Sequence, residues 1–137
     1  MKVYIDMDNT ISKAGDFSTL FSDPQFFISQ EPLQENIAWI LENFSNSNEL
    51  YILSAVPATL KKAIQQKNQW LNRHFPYVEK NDRLYVITHN GHADKSKIAD
   101  ARNNILIDDS LQNLEKWRNA GGIAIDINRK EVYNHHE

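Results

Sequence analysis

Five short apolar runs constrain this chain more than any other feature: Val3-Tyr4-Ile5, Leu50-Tyr51-Ile52-Leu53, Leu84-Tyr85-Val86-Ile87, Ile105-Leu106-Ile107 and Ile123-Ala124-Ile125. Each is rich in β-branched and aromatic residues and free of charge, which is how strands buried on both faces read. Helical patterns lie between them. The first puts Leu33, Ile37, Ile40, Leu41 and Phe44 on one stripe after Pro32, a residue suited to a first helical turn. The second begins after Pro57, carries Leu60, Ala63, Ile64, Trp70, Leu71 and Phe75, and stops before Pro76, with Lys67 interrupting its stripe. A third uses Leu111, Leu114 and Trp117 and ends at Gly121-Gly122, where glycine can supply a left-handed cap. A weaker helix is expected at 94–101. Strands alternating with helices predict a parallel sheet covered on both faces, because parallel neighbours need crossover connections. The expected class is three-layer, Rossmann-like α/β with a central, mainly parallel five-stranded sheet.

At 137 residues, 41% apolar and 24% charged, the chain is expected to form one domain over residues 1–137. Residues 11–31 are less regular and predict a long loop or small lid, and residues 128–137 a polar end, frayed or surface-bound. A formal charge of -3 offers no footprint for an extended nucleic-acid surface or an anionic membrane, but allows a small phosphorylated ligand. With no cysteine, thiolate zinc sites, disulfide scaffolds and cysteine nucleophiles are excluded. No apolar run approaches the roughly 20 residues that span a bilayer, and no signal-peptide pattern opens the chain, so a cytoplasmic location is expected.

In open parallel sheets ligands bind beyond the carboxyl ends of the strands. The residues there are polar: Asp6 and Asp8 after the first run, Ser54 after the second, Thr88-His89-Asn90 after the third, Asp108-Asp109-Ser110 after the fourth. Four carboxylates converging on one edge repel unless a cation lies among them, and an all-oxygen site suits magnesium. A carboxylate can attack phosphorus to form an aspartyl-phosphate once charge is neutralised. Asp6 fits the nucleophile, Asp8 fits a proton donor to the leaving alkoxide and later a base toward water, and Ser54 and Lys95 are placed to hold phosphate oxygens.

These residues resemble the four motifs of the haloacid dehalogenase superfamily: Asp6-Met7-Asp8-Asn9-Thr10, Ser54 after Tyr51-Ile52-Leu53, Lys95, and Ile107-Asp108-Asp109-Ser110, in order and over the whole chain. The resemblance implies a phosphatase with Asp6 as nucleophile and Asp8 as general acid and base. It also implies magnesium held by the Asp6 carboxylate, the Asp8 carbonyl and an acid of the fourth motif, with Asp109 the first choice and Asp108 bound through water or sharing the role. The phosphate is expected at Ser54, Lys95 and the N–H groups of Met7, Asp8 and Ala55. Within the superfamily the chain is similar to the small 5'-nucleotidases of the 5'(3')-deoxyribonucleotidase type, which share Asp-Met-Asp, the acid-lysine pair seen here as Asp94-Lys95, and the Leu106-Ile107-Asp108-Asp109 run. It departs from them at Asn9-Thr10, where they carry glycine and a small apolar residue, and in a cap reduced to residues 11–31. The implied substrate is a nucleoside monophosphate. A larger substrate, such as a nucleic-acid 3'-end or a phosphoprotein, and a non-catalytic phosphate-binding module are the alternatives.

Other polar and aromatic residues are assigned plainer roles. Lys95 is preferred to Lys97 for its earlier place in the helix. His89 and His92 read as surface residues, Asn9 as offering its backbone to the phosphate while its side chain stabilises the turn, and Asp126 receives no role. Phe17, Phe21, Phe26 and Phe27 read as lid aromatics packing on the domain rather than as a stacking wall for a nucleobase. Tyr4, Tyr51, Tyr85, Trp39, Trp70 and Trp117 read as packing residues.

Overall fold

The computed structural model describes residues 1–14, 17–46, 48–89 and 94–134; Asn90 and His92 lie outside them. In chain order the elements are β1 (Lys2–Ile5), β2 (Ser12–Lys13), β3 (Glu31–Pro32), α1 (Gln34–Phe44), β4 (Glu49–Pro57), α2 (Ala63–His74), β5 (Arg83–Thr88), β6 (Ile105–Asp108), α3 (Leu111–Asn119), β7 (Ile123–Asp126) and β8 (Glu131–Val132). The main sheet runs β5-β4-β1-β6-β7-β8. Its first five strands are parallel, as expected, and β8 adds a sixth, antiparallel to β7. The five-strand expectation missed β8 because both its side chains are exposed, so its pairing is carried by backbone alone and leaves no apolar pattern.

Alternation along the strands sorts the core into two layers. Val3, Ile5, Ile52, Ile107 and Ile125 pack with Ile37 and Ile40 of α1 and Trp70, Leu71 and Phe75 of α2. Tyr4, Leu53, Leu106 and Ala124 pack with Leu114 and Trp117 of α3. The chain leaves β1 for β4 on one side and later returns to place β6 on the other, so strand order reverses between β1 and β6. The crevice opens at such a reversal. Asp6 follows the last residue of β1 and Asp108 is the last residue of β6, directly at that point.

Three expectations shift. First, β4 continues to Pro57, pairing with β5 through Pro57 and Thr88, so Ser54 lies within the strand and α2 starts only at Ala63. Second, the expected helix at 94–101 is a single 3-10 turn, Lys95–Lys97, because the Asp94 carboxylate captures the Ser96 N–H and tightens the start. Third, the described residues of the 11–31 segment are tied down more firmly than a loop: β2 pairs with β3, and Leu20, Phe26 and Phe27 are buried against Val56 and Ala63. Gln66 of α2 donates to the Pro24 carbonyl (2.6 Å) and accepts from the Phe27 N–H (3.3 Å), while Trp70 donates to the Gln30 carbonyl (2.7 Å). α3 ends as expected, with Gly121 at φ 94°, a left-handed cap conformation that glycine adopts without strain.

Candidate active site

The turn after β1 is built by one carbonyl. Met7 O accepts from the N–H groups of Thr10 (3.0 Å), Ile11 (2.9 Å) and Ser12 (3.1 Å) and from the Ser12 hydroxyl (3.2 Å), which folds residues 6–12 back on themselves. Asn9 takes φ 63° at the bend. Asparagine is the non-glycine residue best suited to that conformation, which accounts for its standing where the resembling enzymes have glycine. Its side-chain oxygen accepts from the Ala14 N–H (3.0 Å) and closes the turn.

The fold throws Asp6 and Asp8 toward different lysines. Asp6 Oδ1 accepts from Lys95 Nζ (2.7 Å), and Oδ2 accepts from the Thr10 hydroxyl (3.1 Å). Lys95 also donates to Asp108 Oδ2 (3.0 Å), which in addition accepts from Asn113 Nδ2 (3.1 Å); Asp108 Oδ1 accepts from the Ser110 N–H (3.0 Å). Asp109 receives the Thr10 hydroxyl at 3.4 Å. Asp8 Oδ2 instead accepts from Lys67 Nζ (2.8 Å), and the same ammonium donates to Ser54 Oγ (2.7 Å) and the Ala55 carbonyl (3.0 Å). Its nitrogen stands 4.6 Å from the centre of the Phe27 ring.

One carboxylate oxygen from each of Asp6, Asp108 and Asp109 lies within 4.8 Å of the other two. Crowding shows in their protonation. Burial, and then the negative charges of Asp6 and Asp108, push the Asp109 carboxyl up to about 8. Burial and Asp6 likewise raise Asp108, with Lys95 opposing. Burial acts to lower Lys95, but Asp108 and Asp6 outweigh it and hold the ammonium above its ordinary range. With all four ionised, Asp6, Asp8, Asp108 and Asp109 would set four negative charges against two positive ones on Lys67 and Lys95, an excess of two that a proton on Asp109 or a cation can relieve. A hard, oxygen-only donor set with two uncompensated charges fits a magnesium ion.

A cavity of about 230 Å³ opens over the cluster, lined among others by Asp6, Asp8, Ala55, Lys95, Asp108 and Asp109. Asp6, Asp8, Ala55, Lys95, Asp108 and Asp109 thus line one cavity, Ser54 is fully buried outside that lining with its hydroxyl on Lys67, and Lys97 stays at the surface. Met7 contributes backbone, its side chain being buried in the core. Asp126 is buried at the end of β7 with its Oδ1 on the Asn128 N–H (3.0 Å), outside the lining of this cavity. Sequence reasoning missed Lys67, Thr10 and Asn113. The signal for Lys67 was present as the one charge on the apolar stripe of α2.

Among the described residues no helix is long and apolar enough to cross a membrane. No curated protein matches the chain closely enough to count as a relative. A family model described as "5' nucleotidase, deoxy (Pyrimidine), cytosolic type C protein" matches residues 5–137.

Proposed function

The chain belongs to the family of 5' nucleotidase, deoxy (pyrimidine), cytosolic type C proteins, which are 5'-nucleotidase hydrolases of the haloacid dehalogenase type, and from that premise we propose that it hydrolyses nucleoside monophosphates with Asp6 as nucleophile and magnesium as its ion. The observation that carries this reading is the double anchoring of Asp6, one oxygen on Lys95 and the other on Thr10, beside two further carboxylates at the strand reversal. A nucleophile held at both oxygens is fixed in direction before substrate arrives.

The ion would be held by the carboxylates of Asp6 and Asp109 and the carbonyl of Asp8, with Asp108 adjoining. When bound, it supplies positive charge that offsets the repulsion between the phosphate and the carboxylates. Lys95 holds the Asp6 carboxylate against Asp108. Ser54, whose hydroxyl already accepts from Lys67, keeps its own hydrogen to donate to a phosphate oxygen, joined by the N–H groups of Met7, Asp8 and Ala55. Asp8, freed from Lys67 by the arriving phosphate and protonated from solvent, gives that proton to the departing ester oxygen as Asp6 attacks phosphorus, and as a carboxylate it then takes a proton from the water that cleaves the aspartyl-phosphate. Lys67 links these parts, because a phosphate arriving beside Ser54 competes with Asp8 for the same ammonium. Residues 11–31 serve as a reduced cap pinned to α2 through Gln66 and Trp70.

Phosphate release from nucleoside monophosphates and p-nitrophenyl phosphate, with and without magnesium, tests the reading. Asp6→Asn is expected to lower turnover by on the order of 10⁴-fold or more. Equal rates for wild type and Asp6→Asn would falsify it.

A further inference from the structure

One hydroxyl in the site serves two acids. Thr10 is wholly buried, and its Oγ1 stands 3.1 Å from Asp6 Oδ2 and 3.4 Å from Asp109 Oδ1. A hydroxyl has a single proton to give, so where the Thr10 backbone carries that oxygen decides how the two acids are held. The backbone is fixed at both ends. Its N–H is held from inside the turn by the Met7 carbonyl, and its carbonyl is held from outside by α1, where Asn36 Nδ2 donates to Thr10 O at 2.9 Å. Among the described residues no backbone N–H reaches that oxygen.

Asparagine is among the weaker helix formers, and its place in the first turn of α1 is explained by what its amide joins. Asn36 Oδ1 accepts from Lys130 Nζ (3.1 Å), which comes from the turn between β7 and β8. A lysine only donates and a carbonyl only accepts, so these two partners leave the amide one orientation, with its NH₂ group on Thr10. Three residues earlier, the Leu33 N–H donates to the Ile11 carbonyl (2.8 Å). The start of α1 therefore grips two successive carbonyls of the turn that carries Asp6 and Asp8. It does so beside the Ser12 and Pro32 pair, where the 11–31 segment leaves that turn and returns to it.

Resting on the roles given above to Asp6 and Asp109, we propose that Asn36 is a positioning residue for the reaction. It fixes the Thr10 carbonyl, so that the Thr10 hydroxyl keeps Asp6 aimed at phosphorus and Asp109 turned toward the ion. Asn36 lies outside the lining of the catalytic cavity and acts only through Thr10. Its effect falls on turnover and on the ion rather than on capture of the phosphate, whose donors stand apart from Thr10, at Ser54 and Lys67. A bond that merely anchored the helix would change stability without depending on the Thr10 hydroxyl.

A double-mutant cycle on the full chain tests this. Two quantities are read: magnesium affinity by calorimetry without substrate, and kcat and KM for phosphate release from a nucleoside 5'-monophosphate at saturating magnesium. Asn36→Leu, close in volume, is expected to lower kcat about tenfold with KM within about twofold, and to weaken magnesium about three- to tenfold. Thr10→Val keeps the shape but removes the hydroxyl, and is expected to lower kcat at least as far. In that background Asn36→Leu is expected to change kcat and magnesium affinity by less than about twofold, because the group through which Asn36 acts is gone. Asn36→Asp keeps the shape and the Lys130 contact but replaces the donor by an acceptor. It is expected to follow Asn36→Leu in both backgrounds and serves where that variant fails to fold. Unchanged kcat and magnesium affinity in the Asn36 variants overturn the proposal, as does a loss of the same size with and without the Thr10 hydroxyl. Those results leave the hydrolase standing, because Asp6→Asn still separates from wild type; phosphate release that does not depend on Asp6 removes the hydrolase reading, while the magnesium titration still reads the coupling between Asn36 and Thr10.

Discussion

Lys95 and Lys67 are both buried, and each grips one aspartate of the β1 turn, but their surroundings differ in kind. The contacts of Lys95 are two carboxylates, Asp6 and Asp108, themselves almost wholly buried. Lys67 meets one carboxylate, Asp8, whose side chain is 18% exposed, together with a hydroxyl, a carbonyl and the face of Phe27. One ammonium is matched by buried charge. The other spreads its donors over mostly neutral partners and keeps charge to offer an anion. The Asp6 half of the site is therefore an electrostatic lock, and on the function proposed above the Asp8 half is a grip that a phosphate can take over.

Removing each ammonium breaks that comparison most directly. Lys95→Met leaves two buried carboxylates facing one another, and cutting one partner from a buried ionic network costs about 3–5 kcal/mol of stability. Its unfolding midpoint in urea is expected to fall accordingly, with partial recovery on adding magnesium, and turnover is expected to be lost. Lys67→Met leaves Asp8 in contact with water, so the loss is expected nearer 1–2 kcal/mol, while KM rises about tenfold or more because the phosphate loses its donor. Equal destabilisation by the two variants, or a raised KM in neither, would show that the two lysines do the same work.

The same contrast explains what could be read in the sequence. Asp6 and Asp108 sit where apolar runs end, so their arrival at one edge follows from the parallel sheet that those runs predict. Lys67 carries no such local mark. It stands 59 residues from Asp8 and 13 from Ser54, and along α2 it looks like a flaw in an amphipathic stripe. Whether a lysine on a buried face is tolerated depends on partners that only the tertiary fold supplies. Ser54 shows the converse case: it was found by its place near a strand end, although β4 runs three residues further because β5 pairs with it to Thr88. In the lid, packing was legible for Phe26 and Phe27, which are buried, but not for Phe17 and Phe21, which the turns at 17–29 leave exposed. Turn geometry of that kind has no hydrophobic period to betray it.

Asp109 sharpens the comparison from a third side, because it shares the crowded half with Lys95 yet among the described residues meets the Thr10 hydroxyl, at 3.4 Å, and the neighbouring carboxyls of Asp6 and Asp108 rather than an ammonium. Burial first, and then Asp6 and Asp108, push its carboxyl up to about 8. The sign follows from which state holds the proton. Unfolded, the group releases its proton near the ordinary carboxyl value of 3.8; folded without metal, it keeps the proton until about pH 8. The metal-free fold therefore loses stability as pH rises across that window, and a cation that needs the ionised carboxylate must displace the proton. Magnesium affinity is accordingly expected to rise up to about tenfold per pH unit below pH 8 and to level off above it. Titration calorimetry at pH 6.5 in two buffers of different ionisation enthalpy is expected to count close to one proton released per ion, falling toward none at pH 9. Proton release that is absent at pH 6.5 would mean that Asp109 is already ionised in the metal-free protein, and that the charge of Lys95 reaches further across the cluster than its two bonded carboxylates.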